Sequence, residues 1–256
     1  MSFTTDDTLQ IGGLYFKGGE GDEGFFIDSD GFEGWEDLPD VRFENLDRAN
    51  AHGAYESDTF YEARLLNVSG MCHASSAADL GAYGQHLRTA LHGKRRAVVN
   101  YQGVTSYAEG RLSSGVAFRT LVPGRIATYD FTYRFANPRK YGDERGFDSG
   151  PNGLQYVYHY GNFDASPRIV VTGSGPSYVI NGPDNARYEV NRPVVAGSPH
   201  SIDMATGQIT IDGSVAYGVT GRADTWVVRS GVQEATRLVT SSGALSMTTY
   251  VRDTYI

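Results

Sequence analysis

A chain of 256 residues can bury about 70–75% of its extended surface, so it needs no metal site or disulfide to stabilise its fold. With 40% hydrophobic and 20% charged residues it is not intrinsically disordered, and a net charge of −8 opposes broad binding to nucleic acid or anionic membranes. The single cysteine, Cys72, excludes an internal disulfide and a multi-cysteine zinc site, and suits assembly in a reducing cytoplasm. No apolar run reaches about 18 residues, and Asp6 and Asp7 stand where a secretion signal carries basic charge, so the sequence predicts neither a membrane helix nor a signal peptide.

The charge is unevenly distributed along the chain. Residues 1–47 carry thirteen acids against Lys17 and Arg42, a net of −11, and the remainder carries a net of +3. Two interpretations stay open: a solvated acidic face, or an electrostatic contact with a neighbouring subunit or another partner.

The first half of the chain indicates short strands with one helix. Residues 11–47 are Gly-rich and acidic, which favours short strands and loops, and a strand is predicted over 60–68, closed by Ser69-Gly70. The helix is predicted over about 76–92, because Ser76 and Asp79 have capping-box spacing and an apolar stripe follows at Leu80, Tyr83, Leu87 and Leu91. Strict alternation of aromatic and polar residues over 126–135 predicts a strand with its aromatics inward.

Beyond this strand, residues 137–150 are rich in charge and include Pro138, so they are predicted to form an interdomain linker. Residues 151–256 then contain nine short candidate strands and no helix, which is typical of a β-sandwich. One of these strands is predicted over 225–228. Asp212-Gly213, between two of the others, predicts a type I′ hairpin turn.

None of the candidate catalytic and ligand-binding motifs has the residues or the structural context that its chemistry requires. Gly19-x-Gly21-x-x-Gly24 matches a dinucleotide fingerprint in its letters only, because acids interrupt it and no helix follows. Asp28-x-Asp30-Gly31 lacks the first ligand of a calcium loop, although a looser calcium site among these acids stays open. Cys72 and His73 point to opposite faces of an extended chain, and His86 and His92 lie on different helix faces. We therefore predict no catalytic, cofactor-binding or metal-ligating residue and no enzymatic activity.

Several aromatic residues could either stack on a sugar or pack in the core. They are Trp35, Trp226 and the cluster Tyr156, Tyr158, His159 and Tyr160. Because aromatic residues on sandwich strands usually belong to the core, that interpretation is favoured. Period-two alternation places the three tyrosines on one face of the strand, and Val157 and His159 on the other.

The order of these elements resembles a known family. A strand containing NVSG precedes the helix, an aromatic strand and NPRKYG at Asn137–Gly142 follow, and the second half contains GNFDASPRIVVTG, SPHSIDMATGQITIDG and a terminal TYVRDTYI. This sequence is similar to the distal tail proteins of long-tailed, non-contractile bacteriophages, particularly the minor tail proteins of phages that infect actinobacteria. The resemblance covers most of the chain and is best from Phe60 onward.

The resemblance implies a mainly β fold. Residues 1–136 would form a sandwich-like or barrel-like ring domain with one helix, residues 137–150 the linker, and residues 151–256 a galectin-like β-sandwich. The implied function is that of a structural virion protein at the distal end of the tail, assembled in the host cytoplasm. Its partners would be itself in a homo-hexameric ring, the tail tube protein, the tail-tip hub and other minor tail proteins, with no nucleic-acid binding and no membrane insertion. The alternative function is a carbohydrate-binding module that recognises host-surface glycans.

Overall fold

The computed structural model describes residues 3–42, 46–56, 58–240 and 242–256, which form two compact units. One unit comprises the chain through Lys140 together with Ile256, and the other comprises Tyr141–Tyr255. The architecture is mainly β with one α-helix among the described residues, as predicted. No helix in the described ranges combines the length and apolar character needed to cross a membrane.

The first unit is a closed barrel of seven strands. Their order is β12–β8–β3–β2–β1–β9–β10, and β10 closes the barrel by pairing with β12. The pairs are antiparallel except that β2 and β3 run parallel. The elements of the unit are β1 Thr8–Ile11, β2 Leu14–Gly18, β3 Gly24–Glu33, β4 Val41–Arg42, β5 Leu46–Asp47, β6 Ala54–Tyr55, β7 Phe60–Tyr61, β8 Arg64–His73, α1 Ala77–Ala90, β9 Arg95–Tyr101, β10 Val104–Leu112, β11 Ala117–Val122 and β12 Ile126–Phe135.

The barrel interior is aromatic, as the alternation over 126–135 predicted. The core includes Phe16, Phe25 and the inward residues of β12 at Tyr129, Phe131, Tyr133 and Phe135. Helix α1 begins after its N-cap Ser76, whose hydroxyl accepts a hydrogen bond from the Asp79 N–H. Its predicted stripe packs onto this core, with Leu80, Leu87 and Leu91 buried and Tyr83 half-buried.

The second unit is a sandwich of two sheets. One sheet has the order β13–β23–β15–β18–β19–β20 and the other β14–β22–β16–β17–β21, and their inner faces share one apolar core. The elements are β13 Lys140–Asp148, β14 Leu154–Val157, β15 Arg168–Ser174, β16 Tyr178–Asn181, a 3₁₀ turn at Pro183–Asn185, β17 Arg187–Val190, β18 His200–Asp203, β19 Gln208–Ile211, β20 Ser214–Val215, β21 Thr220–Ala223, β22 Glu234–Val239 and β23 Ala244–Tyr255.

Several sequence predictions need correction. The predicted linker over 137–150 contains β13, which is a hydrogen-bonded neighbour of β23 in its sheet. Its charged residues misled the prediction, because several face solvent and others form ion pairs with β23, as Arg145 does with Asp253, instead of marking an unstructured segment. The strand β8 continues through Ser69-Gly70 to His73, since Gly70 leaves room for β3, where an added Cβ would lie 2.0 Å from the Phe26 carbonyl oxygen. The segment predicted as a strand over 225–228 forms only an isolated bridge between Ala165 and Val228.

The predicted type I′ turn at Asp212-Gly213 is confirmed. Asp212 and Gly213 have φ values of 50° and 77°, and both central residues of this turn require positive φ. The turn joins β19 to β20, with Ile211 paired to Ser214. The described residues of the acidic N-terminal stretch include the ten-residue strand β3 as well as loops, and residues 43–45 lie outside the described part of the chain.

Candidate assembly surfaces

A buried arginine organises one end of the barrel unit. Arg64, the first residue of β8, is only 1% exposed. Its Nη1 donates to the carbonyl oxygens of Gly34 at 2.9 Å, Trp35 at 2.7 Å and Asp37 at 2.6 Å, and its Nε donates to that of Pro138 at 3.0 Å. Carbonyl oxygens accept hydrogen bonds from the several N–H groups of a guanidinium. The single Arg64 side chain therefore fixes the backbone of the turn at residues 34–37.

A second buried cation strengthens this turn. Lys140 Nζ donates to the Trp35 carbonyl oxygen and to Glu36 Oε1, each at 2.8 Å. Burial lowers the pKa of Lys140, and the Glu36 carboxylate opposes that shift. Gly34 is required here, because it has φ +92° and an added Cβ would lie 1.9 Å from the Leu65 carbonyl oxygen. The turn at residues 34–37 is therefore fixed a few residues before β4 begins.

The described residues over 41–42, 46–56 and 58–61 then form a two-stranded arm, which we call the hairpin arm. Strands β4 and β7 pair at its base, β5 and β6 pair further out, and the Arg48 N–H donates to the Gly53 carbonyl oxygen near the turn. All described residues of the hairpin arm are exposed or half-buried. Four large apolar side chains are 47–66% exposed: Val41, Leu46, Tyr55 and Phe60.

The outer face of the barrel carries a basic surface, which we call the arginine strip: Arg96, Arg111 and Arg134. Arg111 of β10 and Arg134 of β12 are directly opposite in the antiparallel register, and both are exposed. Neither forms an ion pair with any residue that the structure describes. Arg96 does have a partner in Glu109, which Lys94 also contacts at 2.6 Å.

Two acids of the N-terminal stretch line a groove. A groove of about 280 Å³ is lined in part by Asp30, Glu33 and Asp130, next to the register shift between Ile27 and Phe32. Burial and the neighbouring Asp30 raise the pKa of Asp28. Within the described ranges, no group of three or more His, Cys, Asp or Glu side chains could hold a metal ion.

The remaining motif residues lie apart from one another. Cys72 is buried in the barrel core and His73 is only half-buried, as their alternation predicted. Burial raises the pKa of Cys72 to about 12, which leaves its thiol protonated and unreactive near neutral pH. The glycine-rich segment over 19–23 is the loop between β2 and β3, and His86 and His92 are exposed.

The aromatic residues divide between core and surface. Trp35 and Trp226 are buried, so the favoured core interpretation is correct for them. It is wrong for Tyr156 and Tyr160, which are 53% and 67% exposed. The predicted alternation itself holds, because Val157 and His159 form the buried face.

The exposed tyrosines do not form a flat platform. The Tyr158 and Tyr160 rings meet edge-on at 71°, and the Arg145 guanidinium lies 4.3 Å from the centre of the Tyr160 ring. Arg145 is held there by two hydrogen bonds to the buried Asp253 carboxylate. One face of Tyr160 is therefore already covered.

Sequence reasoning missed both the buried arginine and the arginine strip. Alternation over 126–135 did place Arg134 on the outer face, and the same parity over 104–112 would have placed Arg111 there. The sequence does not show which strands become neighbours when the barrel closes, so the two arginines could not be paired in advance.

The fold is shared with proteins of phage adsorption machinery. The chain is similar to SPP1 Dit (gp 19.1), a structure described as a paradigm of the hub adsorption apparatus in phages that infect Gram-positive bacteria. The TM-score is 0.74 at 14% identity, over 98% of this chain and 99% of that one. It is also similar to a chain of the phage P2 baseplate in its activated conformation with Ca, with a TM-score of 0.51 at 8% identity, over 96% and 98% of the two chains. A chain of the phage p2 baseplate with Sr gives 0.52 at 9% identity, over 95% and 97%.

These similarities concern the fold. No family model matches the chain, and no curated protein matches it at a significant level.

Proposed function

We propose that this chain is a structural protein of a bacteriophage tail tip, a distal tail protein of a long-tailed, non-contractile phage. The observation that carries the proposal is the likeness to SPP1 Dit, which spans nearly the full length of both chains and therefore includes both compact units. A shared fold does not by itself define a function. Here it agrees with the order of sequence motifs, which points independently to the same family.

In this role the chain forms a ring of six copies that joins the tail tube to the tip or baseplate proteins. A closed ring of identical subunits needs heterologous contacts, in which one surface complements a different surface on the next copy. The barrel unit offers two such unlike surfaces, the acidic and apolar hairpin arm and the arginine strip. We propose no catalytic role for the chain, and its localisation is the distal end of the virion tail.

The proposal is tested on purified virions of a phage that encodes the chain. We expect mass spectrometry to detect the chain in the virions, and gold-labelled antibody against it to mark the distal end of the tail. Labelling of the capsid, or absence of the chain from purified virions, would contradict the proposal.

The alternative function, a carbohydrate-binding module in the second unit, has one observation in its favour. Tyr156 and Tyr160 are exposed on the sandwich, and aromatic faces stack on sugars. Against it, Arg145 covers one face of Tyr160 and the rings of Tyr158 and Tyr160 are nearly perpendicular. We therefore expect no reproducible binding on a glycan array. Binding that Tyr160→Ala abolishes, while the fold is retained, would make the alternative the better function.

A further inference from the structure

We propose that a small cavity in the barrel unit binds one arginine side chain presented by another protein. The cavity has a volume of about 200 Å³ and lies at the turn over residues 34–37, which Arg64 and Lys140 fix. This inference goes beyond the proposed function, because the site belongs to the barrel unit alone and is tested on the isolated chain.

Aromatic rings form the walls of the cavity. Phe32, Trp35 and Tyr101 line it, and each is at most 7% exposed. The Phe32 and Tyr101 rings lie nearly parallel, with an angle of 26° between them and 6.1 Å between their centres. The Trp35 indole N–H already donates to the Ser106 hydroxyl. Aromatic rings of this kind attract a cation electrostatically, and in proteins that cation is more often a guanidinium than an ammonium.

One wall of the cavity carries a buried hydroxyl group that has no partner. The Tyr101 hydroxyl forms no hydrogen bond with any residue that the structure describes. A buried polar group without a hydrogen bond is destabilising, and most such groups in native proteins have a partner. A guanidinium N–H from another molecule would donate to this oxygen. The Tyr101 hydroxyl is therefore the feature that indicates a ligand.

The charged groups around the turn leave one negative charge unbalanced. Glu33, Glu36 and Asp37 line the cavity, and two buried cations, Arg64 and Lys140, contact the same turn. Three carboxylates against two cations give a net charge of −1. Glu36 contacts Lys140, whereas Glu33 is exposed and forms no ion pair with a described residue. A ligand group with a single positive charge would balance this excess.

Arginine fits these features better than lysine does. Its guanidinium is planar, carries five N–H donors and has no acceptor, whereas the lysine ammonium is a compact point charge. The cavity offers acceptors on different residues, the Tyr101 hydroxyl and the Glu33 carboxylate, beside flat aromatic walls. A planar group with several donors can contact both acceptors and a ring at the same time.

The size of the cavity favours a protein side chain over a free small molecule. Pockets that bind small molecules typically have volumes of about 300–1,000 Å³, and this cavity is smaller. Leu38 follows the lining residues directly and is 58% exposed, so a protein that inserts an arginine would also cover apolar surface. Because Arg64 already fixes the turn, binding requires little further ordering of the backbone.

The test is a nuclear magnetic resonance titration of the full chain with the capped tripeptide Gly-Arg-Gly. The control peptide has citrulline in place of arginine, which keeps the shape of the side chain and removes its charge. We expect saturable shifts of the Trp35 indole N–H with the arginine peptide, at a Kd of about 1–10 mM. The citrulline peptide should bind about tenfold more weakly, because hydrogen bonds from a charged donor are stronger.

Two conservative variants examine the cavity itself. Tyr101→Phe should weaken peptide binding about tenfold, but it should leave the unfolding midpoint of the peptide-free chain unchanged or raise it, because the hydroxyl has no partner to lose. Glu33→Gln should weaken binding about two- to fivefold, as expected for an exposed ion pair. The matched controls are Tyr15→Phe on β2 and Glu20→Gln in the β2–β3 loop, both at exposed positions, and neither should change binding.

Several outcomes would overturn the inference. They are the absence of saturable shifts up to about 20 mM peptide, equal affinity for the citrulline peptide, or a lower unfolding midpoint for Tyr101→Phe. Self-association that Glu33→Gln abolishes would make the occupant a second copy, and submillimolar binding of free n-butylguanidinium would make it a small molecule. Either result would contradict the assignment to another protein. None of these outcomes bears on whether virions contain the chain, which is the test of the proposed function.

Discussion

The two units of the chain differ most in how they treat their charges. In the sandwich unit at least six of the eight arginines pair with acids of the same unit: Arg145, Arg168, Arg187, Arg222, Arg229 and Arg252. In the barrel unit Arg111 and Arg134 are paired opposite each other and form no ion pair with a described residue, while the described acids of the hairpin arm, Asp47, Glu56 and Asp58, are exposed.

This difference indicates that the two units have different roles. The sandwich unit satisfies most of its own charges, whereas the barrel unit keeps a basic surface and an acidic, apolar arm that have no partners in a single described copy. We infer that the barrel unit makes the contacts between copies.

The largest expected effect comes from removing β13 from the sandwich unit. A fragment over 141–256 should unfold cooperatively, whereas a fragment over 151–256 should be unfolded or only marginally stable. The shorter fragment lacks Arg145 and so leaves the buried Asp253 carboxylate without its ion-pair partner, a loss of about 3–5 kcal/mol. It also exposes the edge of β23.

Thermal unfolding followed by circular dichroism checks this prediction. The single variant Arg145→Met in the longer fragment separates loss of the ion pair from loss of the strand. Equal stability of the two fragments would show that β13 is dispensable, as the sequence-based linker prediction implied.

The next effect concerns the turn that holds the base of the hairpin arm. Arg64→Met should lower the free energy of unfolding of the barrel unit by about 3–5 kcal/mol, because several buried carbonyl oxygens lose their donor. Arg88→Met, on the exposed face of α1, should change it by less than about 0.5 kcal/mol. Denaturant unfolding of the full chain measures both. A change below about 1 kcal/mol for Arg64→Met would mean that the turn holds without the guanidinium.

The smallest effect is a pH dependence within the sandwich unit. Burial and the nearby Arg192 lower the pKa of His200, with the Pro193 backbone and Asp212 opposing the shift. Its ring nitrogen lies 3.2 Å from the Tyr178 hydroxyl. Because the unfolded chain then binds more protons than the folded one, stability should fall as the pH decreases from about 7 to about 5.

His200→Gln should reduce this pH dependence, while His86→Gln on the exposed face of α1 should leave it unchanged. Denaturant midpoints measured across the pH range provide the comparison. Identical pH profiles for the native chain and His200→Gln would show that His200 does not carry the effect.

The elements that could be predicted from the sequence are those whose residue pattern is local. The strand over 126–135 has the predicted bounds because its alternation is strict, and α1 follows from its cap and apolar stripe. The strand β13 was missed because its charges resemble those of a linker. Short strands were predicted where β3 lies, but not its ten-residue length, because its apolar run breaks at the register shift between Ile27 and Phe32.

The candidate surfaces depend on long-range pairing, which one sequence does not display. Arg64 is 1% exposed, whereas an arginine is ordinarily placed on the surface from sequence. Arg111 and Arg134 become neighbours only when the barrel closes between β10 and β12. The acidic excess of the N-terminal stretch is visible in the sequence. The sequence does not show that part of this stretch extends along a hairpin arm.

Cryo-electron microscopy of tails from a phage that encodes the chain tests the central claim most directly. We predict six copies around the tail axis at the distal end of the tube, with the barrel units of neighbouring copies in contact. A ring held together by the sandwich units, or a tail tip without this chain, would contradict the account.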